Sequence, residues 1–171
     1  MLRLLSPKPV VERSDFIYES GEIVPLEFWY QDGSRRGEDN LHTRFDWERG
    51  LAFTTGDGRS TELQLQPGIL DRGSIHMAFM LDMLSSAGPG GYAIADGDSV
   101  KLYAYSLNGT QVLNTALGSI ETQAFTRRRQ GSSRGLLLWV APQLSFLPVR
   151  MEQQKNGQTE MAFILQSVEG L

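Results

Sequence analysis

The sequence predicts a mostly β fold in which a curved antiparallel sheet of hairpins, forming an open or partial barrel, wraps around one apolar α-helix. Three observations predict it: turn dipeptides that recur along the chain, strand-forming segments between them, and one helical stretch that is apolar on nearly all sides. A chain of 171 residues suffices for one core, so we expect residues 1–171 to form a single β-rich domain.

The turn dipeptides mark the expected hairpins. Asn-Gly and Asp-Gly suit tight turns because both of their residues tolerate a positive φ. Strand-like segments follow one another with few intervening helices, so neighbouring strands are expected to pair antiparallel. The dipeptides are Asp32-Gly33, Asp57-Gly58, Asp96-Gly97, Asn108-Gly109 and Asn156-Gly157.

The segments between the turns are rich in aromatic and β-branched residues or alternate in polarity. Residues 61–66 alternate with the period of two that a half-buried strand requires. Roughly the first 13 residues are expected to be disordered or to form an incomplete N-terminal strand. The predicted strands are residues 15–19, 23–31, 42–48, 51–55, 60–66, 99–107, 111–117, 120–129, 135–141, 146–153 and 159–168.

One helix is predicted at about residues 73–86. Asp71 or Ser74 can cap its first N–H groups, and the Gly-Pro-Gly-Gly stretch at residues 88–91 is expected to stop it. Apolar side chains cover nearly the whole circumference of this helix. A helix of this kind is covered on more than one side, which is why the sheet is expected to curl around it.

The helix carries most of the residues predicted to form an apolar ligand surface. Three methionines stand at positions i, i+3 and i+6. Methionine side chains are flexible enough to contact apolar ligands of variable shape. The same residues also fill ordinary cores, and the tryptophan in the apolar run of residues 136–140 is expected to be a core anchor. The candidate surface consists of Met77, Met80, Met83, Phe79 and Trp139.

Two polar residues interrupt the apolar surface of the helix. His76 and Asp82 are the candidate polar anchors of a ligand cavity. They stand six positions apart and therefore point about 240° away from each other, so they cannot share a metal ion. The alternative is that one side chain reaches the rim while the other is hydrogen-bonded in the core.

A basic cluster near the middle of the second half is the candidate patch for an anionic partner, such as lipid phosphates or an acidic protein. It consists of Arg127, Arg128, Arg129 and Arg134. Strand alternation places Arg127 and Arg129 on one face and Arg128 on the other. The alternative is that these charges protect a strand end or an exposed edge from pairing with another chain.

Composition argues against several classes of function. The net charge of −4 gives no general attraction to nucleic acid, and no stretch approaches the ~20 apolar residues of a transmembrane helix. Without cysteine the chain has no thiolate metal site or cysteine nucleophile, and its two histidines, far apart in sequence, suggest neither a metal site nor a serine triad. We therefore expect no enzyme, no catalytic residues, no cofactor and no metal.

Three stretches resemble a bacterial cell-envelope family, domain-of-unknown-function family 3108 (DUF3108). They are residues 23–28 with 45–47, residues 68–74 with an Asp-x-x-Ser pattern before the apolar helix, and residues 138–142 with 147–150 before the last strand. The resemblance extends from about residue 14 to the end. It implies a periplasmic or exported protein with an all-β core and a packed helix, similar to the carriers of lipoproteins.

The chain departs from this family at two places. Family members usually begin with a signal peptide and about one further hairpin, and this chain is expected to lack both. Ser74 matches the family pattern, whereas Gly73 stands where an apolar residue is more usual. The periplasmic location is therefore expected from the resemblance alone, and the residues themselves leave a cytoplasmic location open.

Three hypotheses about function follow. The first is a non-enzymatic cell-envelope protein that binds a lipid or another apolar ligand between sheet and helix. The second is a structural or protein-interaction module that pairs with an envelope protein through an exposed sheet edge. The third is a hydrolase that acts on envelope glycan or lipid through carboxylates.

Overall fold

The computed structural model describes residues 9–34, 36–129 and 131–169. These residues form strands β1 Val11–Glu19, β2 Glu22–Gln31, β3 Leu41–Asp46, β4 Leu51–Gly56, β5 Arg59–Gln64 and β6 Ile69–Leu70, helix α1 Ser74–Leu84, and strands β7 Gly91–Asp96, β8 Ser99–Thr115, β9 Gly118–Arg129, β10 Arg134–Ala141, β11 Leu147–Lys155 and β12 Gln158–Ile164. The predicted fold class, mostly β with antiparallel hairpins and one helix, is confirmed.

The first segment of the chain differs in part from the prediction. Residues 1–8 lie outside the described residues, whereas β1 is a regular strand from Val11, four residues before its predicted start at Asp15. It pairs along its whole length with β2. Cross-strand pairing therefore orders the chain from Val11 onward.

The strands form two sheets. A five-stranded sheet has the order β1-β2-β3-β4-β5, and its neighbours are successive antiparallel hairpins. A seven-stranded sheet has the order β12-β11-β10-β9-β8-β7-β6. In this sheet β6 and β7 run parallel, so the prediction that all neighbours are antiparallel is wrong there. The reason is that α1 connects these two strands, and a helical crossover allows parallel pairing.

The dipeptide Asn108-Gly109 does not form the predicted hairpin turn. Instead β8 continues through it as one strand of 17 residues, and the register with β9 shifts between Leu107 and Gly109. Gly109 has φ +133°, which glycine adopts without steric cost, so the dipeptide forms a β-bulge rather than a turn. The chain reverses only after Thr115.

Helix α1 lies within the predicted range but is shorter. It ends at Leu84, and Ser86 takes the left-handed φ of +61°, so the helix stops before the glycines at 88–91. Ile75, Phe79 and Met80 are buried, as expected for a helix covered on more than one side. Met77 and Leu84 are exposed, and the other residues of the helix are half-buried or buried.

The structure divides into two compact units, residues 1–78 with 92–101 and residues 79–91 with 102–171. The core of the first contains Phe28, Phe45, Ala52, Leu63, Leu65, Ile69 and Ala95. The second contains a cluster of Ile120, Ala141 and Val149 with Leu113, Trp139, Leu144 and Leu165 packed against it. Folding as a single domain stays a prediction.

Candidate functional site

Asp71 and Ser74 form a reciprocal cap at the start of α1. The Asp71 carboxylate accepts hydrogen bonds from the backbone N–H groups of Gly73 at 2.7 Å and Ser74 at 2.8 Å. The Ser74 hydroxyl oxygen in turn accepts one from the Asp71 N–H at 2.9 Å. Both predicted capping residues are therefore used, and they satisfy N–H groups that an uncapped helix leaves open.

Strand β1 completes this cap from a distant part of the sequence. The Ser14 hydroxyl donates to the second carboxylate oxygen of Asp71 at 2.7 Å. Asp71 is only 1% exposed, and this burial raises the pKa of its carboxyl group despite the hydrogen bonds from Ser14, Gly73 and Ser74, which favour the charged form. Ser14, Asp71, Gly73 and Ser74 are called the capping cluster below.

The capping cluster also explains the glycine that departs from the family pattern. A Cβ atom at Gly73 would lie 2.7 Å from the Cβ of Ser14, closer than real side chains approach. Glycine at this position therefore lets β1 come near enough for the hydrogen bond from Ser14 to Asp71. An apolar side chain would push the two segments apart.

The three methionines of α1 do not share one environment. Met80 is buried, Met83 is half-buried and Met77 is 36% exposed. Leu84 is 54% exposed and stands seven positions after Met77, so the two lie on the same side of the helix. The predicted methionine stripe therefore passes from an open side of the helix into the core.

The two polar residues of α1, His76 and Asp82, are both half-buried. The expected difference between them, one at the rim and one in the core, is not reflected in their burial. Both engage in interactions with other residues.

Phe79 packs on one face of the strands β8, β9 and β10. Its ring stacks on Tyr105 with centroids 4.7 Å apart and meets Phe125 edge-on at 5.2 Å. Phe79 is 1% exposed, and Leu138 lies opposite Phe125 on the neighbouring strand. This surface, which also carries Tyr103, Leu107 and Arg127, is called the helix-side face below.

Arg127 turns its guanidinium onto the helix-side face. It stands directly opposite Tyr105 on β8 and Leu136 on β10, and its Cζ lies 5.2 Å from the centre of the Tyr103 ring. Its Nε and Nη1 atoms are buried and donate no hydrogen bond, and no carboxylate among the described residues forms an ion pair with it. Burial raises the pKa of Tyr105, and both the adjacent charge of Arg127 and a hydrogen bond between the two side chains oppose this shift.

The other three arginines of the predicted basic patch separate from Arg127. Arg128 is exposed on the opposite face of β9, and Arg129 is half-buried on the same face as Arg127. Arg134 is exposed at the start of β10. The alternation that the sequence predicts is confirmed, and it divides the four residues between two faces.

Trp139 lies on the face opposite to Phe79, called the outer face below. It follows Leu138 on β10, and successive side chains of a strand point to opposite faces. Arg150 stacks its guanidinium over the Trp139 ring, 5.2 Å from the centre, and also pairs with Glu152. The predicted apolar surface is thus split, with Trp139 separated from the helix residues by the sheet.

A groove of about 220 Å³ lies beside Trp139 where β8 is bulged. Its walls are Asn108, Gly109, Thr110, Gln111, Ala124, Phe125, Leu137 and Trp139. The Trp139 Nε1 atom is buried and donates no hydrogen bond to the residues that the structure describes.

Beyond Phe125 the helix-side face becomes exposed and mixes apolar with polar side chains, because Thr110 and Gln123 form the next cross-strand pair on it. Leu107, directly opposite Phe125, is 59% exposed, and Val112, beyond the bulge, is 64% exposed. Val112 lies opposite Glu121, which is also exposed. Tyr103, Tyr105 and Leu107 are not among the residues predicted to form a site, although their spacing of two residues is the signal that places them on one face.

The seven-stranded sheet ends in an exposed strand. All seven residues of β12 are exposed, including Met161, Phe163 and Ile164. Glu160 is its one charged residue, and no described strand pairs with its outer edge. Unpaired backbone groups beside apolar side chains are the features of an edge that accepts a further strand.

In the described part of the chain no three His, Asp or Glu side chains converge as metal ligands would. None of its helices is long and apolar enough to cross a membrane.

The fold and these surfaces define a mostly β protein with one helix packed on its larger sheet. The chain belongs to the family described as "Protein of unknown function (DUF3108)", whose model matches residues 3–163. No curated protein and no solved structure matches the chain.

Proposed function

We propose that the chain is a non-enzymatic binding protein of the bacterial cell envelope that takes up an apolar or amphiphilic molecule on the helix-side face. One observation carries the proposal: the aromatic cluster around Phe79 continues past Phe125 into the exposed side chain of Leu107, and Val112 is a further exposed apolar residue of the same face. Exposed apolar surface that continues a core is typical of a site that a ligand or partner covers.

Helix α1 supports the same function. Its sequence is apolar on nearly every side, and the side that contains Met77 and Leu84 is open to solvent. A helix of this composition keeps apolar contacts with the sheet when it shifts or rotates. Its methionine side chains also adapt to differently shaped neighbours. The periplasmic location is part of the proposal and rests on the family resemblance.

Native mass spectrometry and lipid extraction of the purified chain test this function, together with titration of delipidated protein with neutral dodecanol. We expect a bound apolar molecule and measurable dodecanol binding. Leu107→Ser removes apolar surface beside Phe125 and should weaken dodecanol binding several-fold. Leu102→Ser is the matched control, because Leu102 is 69% exposed on the same strand and its side chain points to the outer face. A chain that carries and binds no such molecule contradicts the proposal.

The exposed edge of β12 favours a second function, a module that pairs with another protein strand. Its apolar side chains and single charge distinguish β12 from β1, one of the two edge strands of the other sheet, which carries Glu12, Arg13, Asp15 and Glu19. Charges of this kind normally protect an edge against pairing.

Light scattering after size-exclusion chromatography tests this second function on the full chain. Pairing of β12 with its copy in a second chain should give a concentration-dependent dimer. Phe163→Lys places a charge on the edge and should return the chain to a monomer, whereas Glu62→Lys, on the exposed side of β5, should not. A monomer at every concentration contradicts pairing between copies.

A further inference from the structure

We infer that the ligand of the helix-side face is an amphiphile with an anionic head, which binds Arg127, and an apolar tail, which runs past Phe125 toward Leu107. The inference rests on the proposed function and names the chemistry of its ligand. Three observations carry it: the state of the Arg127 guanidinium, the neighbouring hydroxyl groups, and the direction of the apolar surface.

The first observation is that Arg127 is a half-buried cation that forms no ion pair with the carboxylates of the described residues. Two of its nitrogen atoms, Nε and Nη1, are buried and donate no hydrogen bond. A buried charge without a counter-ion destabilises a fold, so such groups are normally paired with an acid or with a ligand. An arginine fork matches a carboxylate or a phosphate, because it donates two parallel hydrogen bonds.

The second observation is the surroundings of that guanidinium. The ring of Tyr103 lies under it at 5.2 Å, and Tyr105 stands directly across the strand pair. Stacking on an aromatic ring holds a guanidinium in one orientation. The Tyr105 hydroxyl contributes a further polar group beside the position that an anionic head would take.

The third observation is that exposed apolar side chains lie on one side of Arg127 along the strands, with the polar pair Thr110 and Gln123 between Leu107 and Val112. Phe125 follows it on the same face of β9, Leu107 lies beside Phe125, and Val112 lies opposite Glu121 farther along. The six positions from Arg127 to Glu121 cover about 20 Å of extended strand. Because Glu121 is acidic, it repels an anionic head at the far end and favours the orientation with the head at Arg127.

The test compares ligands that differ only in the head or only in the tail. Delipidated full-length chain is titrated calorimetrically, below micelle-forming concentrations, with dodecanoate, dodecyl phosphate and neutral dodecanol, and with acetate and inorganic phosphate as heads without tails. At least one of the two anionic amphiphiles should bind about tenfold or more tightly than dodecanol. The anionic amphiphile that binds more tightly shows whether the site prefers a carboxylate or a phosphate head. Acetate and inorganic phosphate should bind far more weakly than either amphiphile.

Three variants locate the contribution of the charge. Arg127→Gln should remove the preference for the anionic amphiphile and leave dodecanol binding within about twofold, whereas Arg127→Lys should keep part of the preference. Arg128→Gln is the matched control, because its side chain is exposed on the other face of the same strand. It should leave the preference unchanged. Circular dichroism of each variant verifies that it is folded.

The outcomes separate the inference from the function on which it rests. If no amphiphile binds the native chain, the proposed function and the inference both fail. If dodecanol and both anions bind equally well, or if Arg127→Gln and Arg128→Gln lose the same fraction of affinity, the proposed function stands and the anionic head is wrong. If acetate or inorganic phosphate binds as tightly as its long-chain form, the site takes a free anion and the amphiphile is wrong.

Discussion

The capping cluster and Arg127 are two buried polar sites that the fold treats in opposite ways. Asp71 is almost completely buried and accepts three hydrogen bonds on its side chain, from Ser14, Gly73 and Ser74. Arg127 is half-buried, and two of its buried nitrogens donate to nothing. A satisfied buried group stabilises the fold around it, whereas an unsatisfied one costs stability that a ligand can restore.

This difference indicates which of the two sites is structural. The polar atoms of the capping cluster are turned toward each other, so a ligand would have to break existing hydrogen bonds to bind there. The Arg127 guanidinium stands beside the Tyr103 ring and the Tyr105 hydroxyl, and no carboxylate among the described residues pairs with it. Substitutions at the two sites should therefore change stability in different directions.

The largest effect is expected for Asp71→Ala. The substitution leaves the Gly73 and Ser74 N–H groups and the Ser14 hydroxyl without their acceptor in a buried place. It should lower the free energy of unfolding by about 3 kcal/mol, measured by urea denaturation at neutral pH. Glu62→Ala, an exposed carboxylate on β5, is the control and should change it by less than about 0.5 kcal/mol. An equal loss of unfolding free energy in both variants would show that the buried cap stabilises the fold no more than an exposed carboxylate does.

The next effect is expected for Gly73→Ala, which introduces the Cβ that collides with Ser14. It should destabilise the fold by about 2 kcal/mol in the same denaturation experiment. In the double variant with Ser14→Gly the collision is gone, so the two losses should not add. Gly90→Ala is the matched control, because a Cβ there meets no atom within 4 Å. Strict additivity of Gly73→Ala and Ser14→Gly would contradict the close approach.

A smaller effect is expected from pH, because burial raises the pKa of Asp71. The folded state then holds its proton at pH values where the unfolded chain has released it. Stability therefore falls as pH rises from about 3.9, the ordinary value of an aspartate, through the raised pKa of the folded state. The Asp71→Asn variant has no proton to release at this position. As pH rises through that window, the urea midpoint of the native chain should therefore fall relative to that of the variant. A rise in the relative urea midpoint of the native chain would mean that the hydrogen bonds to Asp71 affect its pKa more than burial does.

Sequence patterns predicted most of the fold because strand alternation and helix periodicity are local properties. Residues 60–66 and the helix illustrate this, since their spacing alone gave both type and approximate bounds. Asn108-Gly109 shows where local reasoning stops, because the same dipeptide serves a hairpin turn or a β-bulge. Only pairing with β9 along both halves of β8 decides between them.

The candidate sites were less predictable because they depend on contacts between distant segments. The sequence identified Asp71 and Ser74, whereas Ser14, 57 positions before Asp71, carries no local signal of that hydrogen bond. Alternation placed Arg127 and Arg129 on one face. It could not tell that this face is the one against which Phe79 packs, or that Trp139 lies on the other.

The smallest change in stability, and the opposite sign, is expected for Arg127→Met. Methionine keeps an unbranched apolar stem against Tyr103 while it removes the uncompensated charge. The ligand-free chain should therefore keep its free energy of unfolding or gain about 1 kcal/mol. Arg128→Met, on the exposed side of the same strand, should change it by less than about 0.5 kcal/mol. A loss above about 1 kcal/mol for Arg127→Met alone would mean that the guanidinium already stabilises the free protein. Arg127 would then be a structural residue like Asp71, and the contrast between the two sites would disappear.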